Sequence, residues 1–169
     1  MMMRKSLTGG MLVWGAVAAM SGRAQAAGEF IWPTTGWLSS THVYSNGAWH
    51  SGSADIATGF WSWILASRQG YAYAYWEGGG CGNYSYVAHS GGYSTLYCHQ
   101  VRWPIVGGGR WVGRGQLIGY VGSTGNSTGP HLHYALRRWG ARLVIPYIWI
   151  GKWVYRGYWV PGNWWGVSW

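Results

Sequence analysis

The stretch NYSYVAHSGGYSTLYCH, residues 83–99, decides the fold, because two segments rich in tyrosine, valine and threonine flank Ser-Gly-Gly. Such a pattern predicts a β-hairpin. Outward from it, YAYAYW at 71–76 alternates strictly, and HYALRR at 133–138 and RLVIPYIWI at 142–150 have the composition of further strands. With 30 glycines and no sustained helical period, the sequence predicts a mainly β fold: a single antiparallel sheet or sandwich-like domain with long glycine-rich loops.

The first 26 residues have the features of a secretory signal peptide. Arg4 and Lys5 precede the short apolar run MLVWGAVAAM at 11–20, and Ala-Gln-Ala at 24–26 is a small-x-small cleavage pattern. The apolar run is too short to span a bilayer, which takes about 20 residues. We therefore expect an exported chain that is not an integral membrane protein once residues 1–26 are removed.

The register of the hairpin makes predictions about its two ends. If His89 pairs with Gly92, Cys81 and Cys98 lie diagonally on one face, near the upper limit of disulfide reach. The chain has two cysteines, and in an exported protein we expect them to form a disulfide. The same register places His99 on the face opposite to His89, so the two histidines are expected to serve different sites.

The net charge and the small number of acidic residues limit the possible partners and reaction types. Twelve Lys and Arg against three Asp and Glu give a net charge of +9, which favours anionic cell-wall polymers or membranes as partners. The arginines are scattered and the chain carries an export signal, which together argue against a nucleic acid partner. The three acids, Glu29, Asp55 and Glu77, are too few and too spread for a glycosidase that needs two carboxylates flanking one bond.

The stretch GNSTGPHLHY at 125–134 carries two histidines, His131 and His133. Side chains at positions i and i+2 of a strand project from the same face, roughly 6.5–7 Å apart. Both imidazoles can therefore address one small site, one as a metal ligand and the other beside it. Two surface-facing histidines would give the same pattern, and alternation alone does not choose which of them binds the metal.

The segment NGAWHSGSADIATG at 46–59 supplies two further candidates, His50 and Asp55. With one histidine of the HLH pair they make up the three protein ligands of a catalytic zinc site, although such a set also suits other divalent metals. Zinc lowers the pKa of a bound water to about 7. The sequence therefore favours zinc chemistry.

A third histidine, His99, lies in YSTLYCHQ at 93–100, where alternation places it on one face with Thr95 and Tyr97. Taken alone, it would be a partly exposed strand residue. If it converges on the metal, it and the second HLH histidine are able to orient water and stabilise the charge of a tetrahedral intermediate.

Taken in order, WHSGSADIA, GGYSTLYCHQ and GSTGNSTGPHLHY resemble the LytM/lysostaphin-type zinc metalloendopeptidases, which cut peptidoglycan peptides. The likeness extends over roughly residues 32–148 and implies a peptidase domain over 27–150 with Zn²⁺ as its cofactor. The implied zinc ligands are His50, Asp55 and His133, and the implied catalytic residues are His99, His131 and Tyr44. The resemblance also marks His89 as a structural residue.

The sequence departs from the family pattern near the first ligand. Four residues, 51–54, separate His50 from Asp55, where the family usually has three. In an unbroken strand this spacing puts the two side chains on opposite faces. A bulge or loop there would restore convergence; alternatively His42 is the first ligand, at the longer separation of another branch. A second departure is Gln100, which replaces a leucine common in relatives.

These features predict an exported zinc endopeptidase that hydrolyses peptide bonds of peptidoglycan stem peptides or cross-bridges. It would be secreted, periplasmic or cell-wall associated. Glu29 and Glu77 lie outside the motifs, so no glutamate is expected to act as the base. The alternative is a non-catalytic wall-binding or regulatory module of the same fold, which the extra residue before Asp55 favours. A third reading is a basic, membrane-active aromatic protein. The sequence gives no indication of the oligomeric state.

The C-terminal residues 151–169 lie past the resemblance and form a tryptophan-rich tail. Exposed tryptophans are able to stack on sugar faces, with arginine adding contacts to an anionic polymer. Because large aromatic side chains are commonly buried, we expect instead that they complete the core or a dimer surface.

Overall fold

The computed structural model describes residues 30–41, 53–144, 151–160 and 166–167. Within these ranges the chain forms twelve strands and one short 3-10 turn. The strands are β1 (Gly36–Thr41), β2 (Ser53–Ala57), β3 (Trp63–Leu65), β4 (Gly70–Glu77), β5 (Gly82–Ala88), β6 (Tyr93–Gln100), β7 (Arg110–Val112), β8 (Leu117–Tyr120), β9 (His131–Arg138), β10 (Ala141–Val144), β11 (Trp153–Val154) and β12 (Gly166–Val167). Their pairings are antiparallel, which confirms the predicted mainly β, antiparallel fold. No helix among the described residues is long and apolar enough to cross a membrane.

The sheet topology brings the sequence motifs together. Ten strands form one sheet in the order β11-β1-β2-β9-β6-β5-β4-β7, with β10 pairing with β9 and β12, while β3 and β8 form a separate ribbon. Strand β9, which begins at His131, lies between β2, which carries Asp55, and β6, which carries His99. Three segments that are distant in the chain are therefore neighbours in the sheet.

The large sheet buries one face. On β9, Leu132 and Tyr134 are fully buried, and His131 and His133 alternate with them and point to the opposite face. Each fully buried leucine or isoleucine contributes about 1.5–3 kcal/mol to stability. The largest fully buried side chains of the core include Tyr97, Tyr134, Phe30, Leu38, Ile56 and Ile64. We call the face that carries His131 and His133 the site face.

The turn of the central hairpin is one residue longer than predicted. The amide of His89 donates to the carbonyl of Tyr93 at 2.8 Å, so His89 faces Tyr93 and not Gly92. The loop Ser90–Gly92 is a 3-10 turn in which both glycines are left-handed, with φ of 74°. This three-residue loop accounts for the error, because an added loop residue moves every later pair by one position.

A bulge near the far end of the hairpin changes the face on which His99 lies. The register shifts between Ser85 and Asn83, and His99 has a left-handed backbone with φ of 62°. The prediction that His99 shares a face with Thr95 and Tyr97 is therefore wrong. Those two side chains point into the core, whereas His99 is turned to the site face by the bulge.

The disulfide lies at the same bulge. Cys81 and Cys98 are joined, with their Cα atoms 4.6 Å apart, closer than the diagonal placement derived from the predicted register. The amide of His99 donates to the carbonyl of Cys81 at 2.7 Å. His89, in contrast, is buried at the other end of the hairpin and hydrogen-bonds to the carbonyl of Gln69 at 2.9 Å.

Residues 151–160 complete the edge of the sheet. Trp153 and Val154 of β11 pair with β1, and Val154 and Val160 are buried in the core. Trp153 and Trp159 are each 51% exposed, so of the two predicted places for the tail tryptophans the core is wrong for these residues, and a dimer surface stays a prediction. The aliphatic residues of this segment are buried and its described tryptophans lie at the surface. The other predicted tail tryptophans lie outside the described residues.

Candidate metal and catalytic site

Four of the six predicted site residues lie within the described part of the chain. Three of them, Asp55, His131 and His133, are neighbours on β2 and β9. A fourth, His99, joins them from β6. His50 and Tyr44, and the alternative ligand His42, lie outside the described residues, as does the start of the segment with the extra residue.

Asp55 and His133 form the closest contact of the site. They face each other in the regular ladder between β2 and β9, and Nδ1 of His133 donates to Oδ1 of Asp55 at 2.8 Å. Both side chains are largely shielded, with exposures of 12% for His133 and 16% for Asp55. Two of the three predicted ligands therefore meet on the site face without any rearrangement.

His131 and His99 lie beside this pair. Nε2 of His131 is 3.9 Å from Oδ1 of Asp55. The ring centroid of His99 is 4.6 Å from that of His131 and 6.0 Å from that of His133. Three imidazoles and one carboxylate thus converge on a single small region of the site face.

The two candidate catalytic histidines are held in the same way. Nδ1 of His99 donates to the carbonyl of Thr124 at 2.8 Å, and Nδ1 of His131 donates to the carbonyl of Gly129 at 2.9 Å. Because a carbonyl oxygen only accepts, each neutral ring carries its proton on Nδ1 and keeps Nε2 as the basic nitrogen. The loop between β8 and β9 therefore sets the tautomer of both rings.

Burial governs the charge of His99. Desolvation lowers the pKa of His99 to about 4, a net value to which His131 and His133 also contribute and which the Thr124 carbonyl and Asp55 oppose. A ring with this pKa is neutral at pH 7. His99 thus offers an unprotonated Nε2 at physiological pH.

Sequence reasoning missed the residues that hold His99. The hydroxyl of Thr124 donates to the carbonyl of Gln100 at 2.8 Å and accepts from the amide of Asn83 at 3.0 Å. Gly82 and Gly125 allow this close approach: a Cβ on Gly82 would lie 2.3 Å from Oγ1 of Thr124, and one on Gly125 would lie 2.3 Å from the amide nitrogen of Gly82. A backbone carbonyl leaves no side-chain signal, and only the density of small residues at 122–129 marked this loop.

The donors present fit a divalent metal of the zinc type. Two ligands of a tetrahedral zinc ion, each about 2.0–2.2 Å from it, lie roughly 3.3 Å apart, and the 2.8 Å contact of Asp55 with His133 is close to that separation. His133 would give up its Nδ1 proton on binding, as metal ligands do. Among the described residues no three acid, thiol or imidazole groups are arranged to hold an ion. Since His50 lies outside these residues, Asp55 and His133 are the described part of the predicted set.

Comparison with known proteins points in one direction. Residues 50–145, more than half of the chain, match Peptidase family M23. The chain is 49% identical over 59 residues to the DD-carboxypeptidase/endopeptidase Mpg of Neisseria meningitidis, a match covering 35% of this chain and 13% of that protein. It is 53% identical over 53 residues to the peptidoglycan DD-endopeptidase ShyC of Vibrio cholerae, covering 31% of this chain and 12% of that protein.

A solved structure agrees with these matches. The catalytic domain of the antimicrobial peptidase lysostaphin from Staphylococcus simulans superposes with a TM-score of 0.52 at 26% identity, covering 68% of this chain and 85% of that domain. The resemblance drawn from the three motifs is thereby confirmed. The matched segment spans only about an eighth of the length of the curated relatives named above.

Proposed function

Because this chain belongs to Peptidase family M23, we propose that it is an exported, zinc-dependent endopeptidase that hydrolyses peptide bonds of peptidoglycan stem peptides or cross-bridges. The observation that carries the proposal is the contact of Asp55 with His133, with the rings of His131 and His99 beside it on the same face. The described site contains a carboxylate and imidazoles but no second carboxylate, which suits a metallopeptidase better than a glycosidase.

The proposed ligands are His50, Asp55 and His133. When bound, zinc would supply an activated water at neutral pH and polarise the carbonyl of the scissile bond. Oδ1 of Asp55 is 2.8 Å from Nδ1 of His133 and 3.9 Å from Nε2 of His131, so the two described ligands lie directly beside one of the catalytic rings. Both catalytic rings keep Nε2 as the nitrogen that exchanges protons, because Nδ1 is tied to a backbone carbonyl.

We assign proton transfer to His131 and His99. Nε2 of a neutral ring accepts a proton from the attacking water, and a protonated ring then donates to the nitrogen of the leaving amine. The low pKa of His99 makes its protonated form a strong acid, which suits donation to that amine. Positive charge on either ring also stabilises the negative oxygen of the tetrahedral intermediate. Tyr44, outside the described residues, remains a proposed additional donor to this oxygen.

The choice of peptidoglycan as substrate follows from the relatives. Mpg and ShyC are named for cleavage of DD bonds, and ShyC is named for peptidoglycan. The net charge of +9 favours association with anionic wall polymers, and the signal sequence proposed for residues 1–26 would deliver the chain to them. We therefore propose a secreted, periplasmic or cell-wall-associated location.

The test combines metal analysis with product identification. The purified chain without residues 1–26 should carry about one zinc per molecule and should release new amino termini from isolated cell walls, identified by mass spectrometry of the peptide fragments. Removing the metal with a chelator should stop the release, and added zinc should restore it. Full metal occupancy without release from several wall types would contradict the proposal and favour the non-catalytic binding module.

A further inference from the structure

A recessed surface next to the site face is not used by the proposed chemistry. It is a cleft of about 580 Å³, lined by four aromatic side chains, four hydroxyl side chains and one arginine. We call it the aromatic cleft. Its volume lies in the range of small-molecule sites. The peptidase match begins at residue 50 and ends at residue 145, so Thr34, Thr35, Trp153 and Arg156, which line the cleft, lie outside it.

One residue that lines the aromatic cleft, Trp153, lies on the site face. Trp153 pairs with Trp37 on β1, and Trp37 pairs with Ala57 on β2. Ala57 in turn pairs with His131. Directly paired residues project to the same side, so Trp153 lies on the site face three strand spacings, or about 14 Å, from His131. This separation is short enough for one polymer chain to contact both the site and the cleft.

The rings of the aromatic cleft are accessible to a ligand. Phe60, Trp61, Trp63 and Trp153 are each between 51% and 53% exposed. The guanidinium of Arg156 stands over the ring of Trp63, with Cζ 4.8 Å from the ring centroid. No carboxylate lines the cleft, so its polar groups are hydroxyls and a cation, which suit uncharged or anionic oxygen atoms.

Two local features indicate that the cleft is built for binding. Trp61 has a left-handed backbone, with φ of 67°, a conformation that bulky residues adopt only when their surroundings hold them there and that clusters at binding sites. Its amide donates to the carbonyl of Val121 at 2.9 Å, and its ring packs against Tyr120. Thr34 is one of the residues that line the cleft, and its buried Oγ1 has no hydrogen-bond partner among the described residues, whereas buried polar groups are normally paired.

We propose that the aromatic cleft binds sugar units of the glycan strand to which the cleaved peptide is attached. The proposal rests on the proposed function, since it assigns a second part of the same substrate. A pyranose ring presents apolar C–H faces that stack on indole rings, and hydroxyl and acetamido groups at its rim that hydrogen-bond to threonine, serine and arginine. A lipid surface would favour rings that protrude, and these rings line a recess that also contains hydroxyls.

The experiment measures binding of a defined saccharide that contains no peptide bond to hydrolyse. The full zinc-loaded chain is titrated with the β-1,4-linked tetramer of N-acetylglucosamine, by calorimetry and by tryptophan fluorescence. We expect saturable binding, and we expect Trp153→Ala and Trp63→Ala each to weaken it by about tenfold, as loss of a buried aromatic contact does. Arg156→Gln keeps the rings and should weaken binding by a smaller factor.

A matched control variant distinguishes binding in the cleft from nonspecific binding to exposed aromatic side chains. Trp76 is 64% exposed, and by alternation it lies on the face of β4 that carries the buried Ala72 and Ala74, opposite to the site face. Trp76→Ala should bind the tetramer like the unchanged chain. Circular dichroism and thermal melting verify that each variant is folded before its binding is interpreted.

A second measurement ties the cleft to the substrate. On intact cell walls, Trp153→Ala should raise KM. This increase in KM should be several-fold larger than the increase measured with a short peptide that carries no sugar. Wild-type chain that binds the tetramer but cuts neither substrate would contradict the proposed function and leave this inference standing. Wild-type chain that cuts cell walls but does not bind the tetramer would overturn the inference. Equal weakening of binding by Trp76→Ala would also overturn the inference. The same holds if the tetramer does not bind and the cleft variants instead change from dimer to monomer or lose binding to liposomes.

Discussion

Two pairs of strands meet at the candidate site, and they position their side chains in different ways. Between β2 and β9, Asp55 and His133 face each other because the ladder is regular over five residue pairs. Between β5 and β6 the register of the ladder shifts between Asn83 and Ser85. His99 reaches the site face only through its left-handed backbone. The proposed ligand side is thus determined by strand alternation, and the proposed catalytic side depends on a local irregularity.

This difference has consequences for how each side responds to mutation. A regular ladder is maintained by many equivalent backbone hydrogen bonds, so a ligand substitution there removes the donor and leaves the scaffold intact. The bulge depends on a few specific contacts: the disulfide, the Thr124 hydroxyl and the approach of Gly82 to Gly125. We therefore expect remote substitutions to affect His99 much more than Asp55 and His133.

The largest effect is expected for a proposed ligand on the regular ladder between β2 and β9. His133→Ala should lose both zinc and activity, because it removes a proposed ligand and leaves Asp55 without its 2.8 Å partner. Zinc content by mass spectrometry and release of new amino termini measure the two quantities together. If His133→Ala keeps its zinc and His131→Ala loses it, the assignment of ligand and catalytic residue within the HLH pair is reversed.

At the bulge between β5 and β6, His99→Ala should keep zinc and lose turnover. Removal of a positioned general acid or base typically lowers kcat by about 10²–10⁴-fold, and His99 holds no proposed ligand by a hydrogen bond in the described structure. His131→Ala should behave in the same way. Equal loss of zinc in His99→Ala would show that the bulge supports the metal, and would remove the distinction between the two sides.

A smaller effect should follow from disturbing the bulge without touching a histidine. A Cβ on Gly82, whose φ is +65°, would lie within 2.6 Å of Thr124 Oγ1, Thr124 C and Gly125 N. Gly82→Ala should shift the Thr124 carbonyl that holds His99 and lower kcat by about 10²-fold, since misplacement by about 1 Å can cost that much. Zinc content should not change.

The matched control for this prediction lies in the same turn. A Cβ on Gly79 would meet nothing within 4 Å, so Gly79→Ala should retain the kcat of the unchanged chain. Thermal melting of both variants separates loss of positioning from loss of folding. Equal kcat in Gly82→Ala and the unchanged chain would show that the Thr124 carbonyl does not position His99.

The same contrast explains what could be predicted from the sequence. Alternation in HLH placed His131 and His133 on one face, because nothing interrupts β9. The family resemblance alone implies that His99 belongs to the site, whereas alternation along the strand predicts the wrong face for it. A bulge depends on the φ of one non-glycine residue and on contacts with a loop about 25 residues away, which no short-range pattern encodes.

Other errors have equally local causes. The hairpin register was wrong by one because Ser90–Gly92 forms a three-residue turn with two left-handed glycines. Their size predicts the core or a dimer surface for the tail tryptophans, but in β11 the alternation buries Val154 and exposes Trp153. The carbonyls of Thr124 and Gly129 could not be predicted from sequence, because every residue has a carbonyl.

Loss of the disulfide should have a further, smaller effect. Cys81 and Cys98 are 17 residues apart, and a bridge closing a loop of this length stabilises the fold by about 3 kcal/mol. The double variant Cys81→Ser/Cys98→Ser should lose about this free energy of unfolding in denaturant titrations. Zinc content at low temperature should persist, because the β2–β9 ladder does not include the bridge. Unchanged stability would show that other contacts alone hold the bulge.

The smallest effect compares the two buried histidines of the hairpin. Burial lowers the pKa of His89 to about 4, a net value to which Arg68 also contributes and which the Gln69 carbonyl opposes. The unfolded chain binds the proton with a pKa near 6.5. Between these values the unfolded state holds more protons, so the free energy of unfolding decreases as pH falls below 6.5 and levels off below about 4. For His89 the decrease between pH 7 and 5 should be about 2 kcal/mol.

His89→Gln removes this contribution and leaves that of His99, whose pKa is also lowered to about 4. Denaturant titrations of the metal-free chain at several pH values should therefore give a shallower dependence for His89→Gln than for the unchanged chain. The pH dependence of hydrolysis should stay the same, since His89 lies at the opposite end of the hairpin and contacts Gln69 and Thr95. Parallel stability curves for the two chains would show that His89 is not buried as a neutral ring. A changed pH profile of hydrolysis would mean that the turn end of the hairpin is coupled to the site, although His89 precedes the turn and His99 lies near the end of β6.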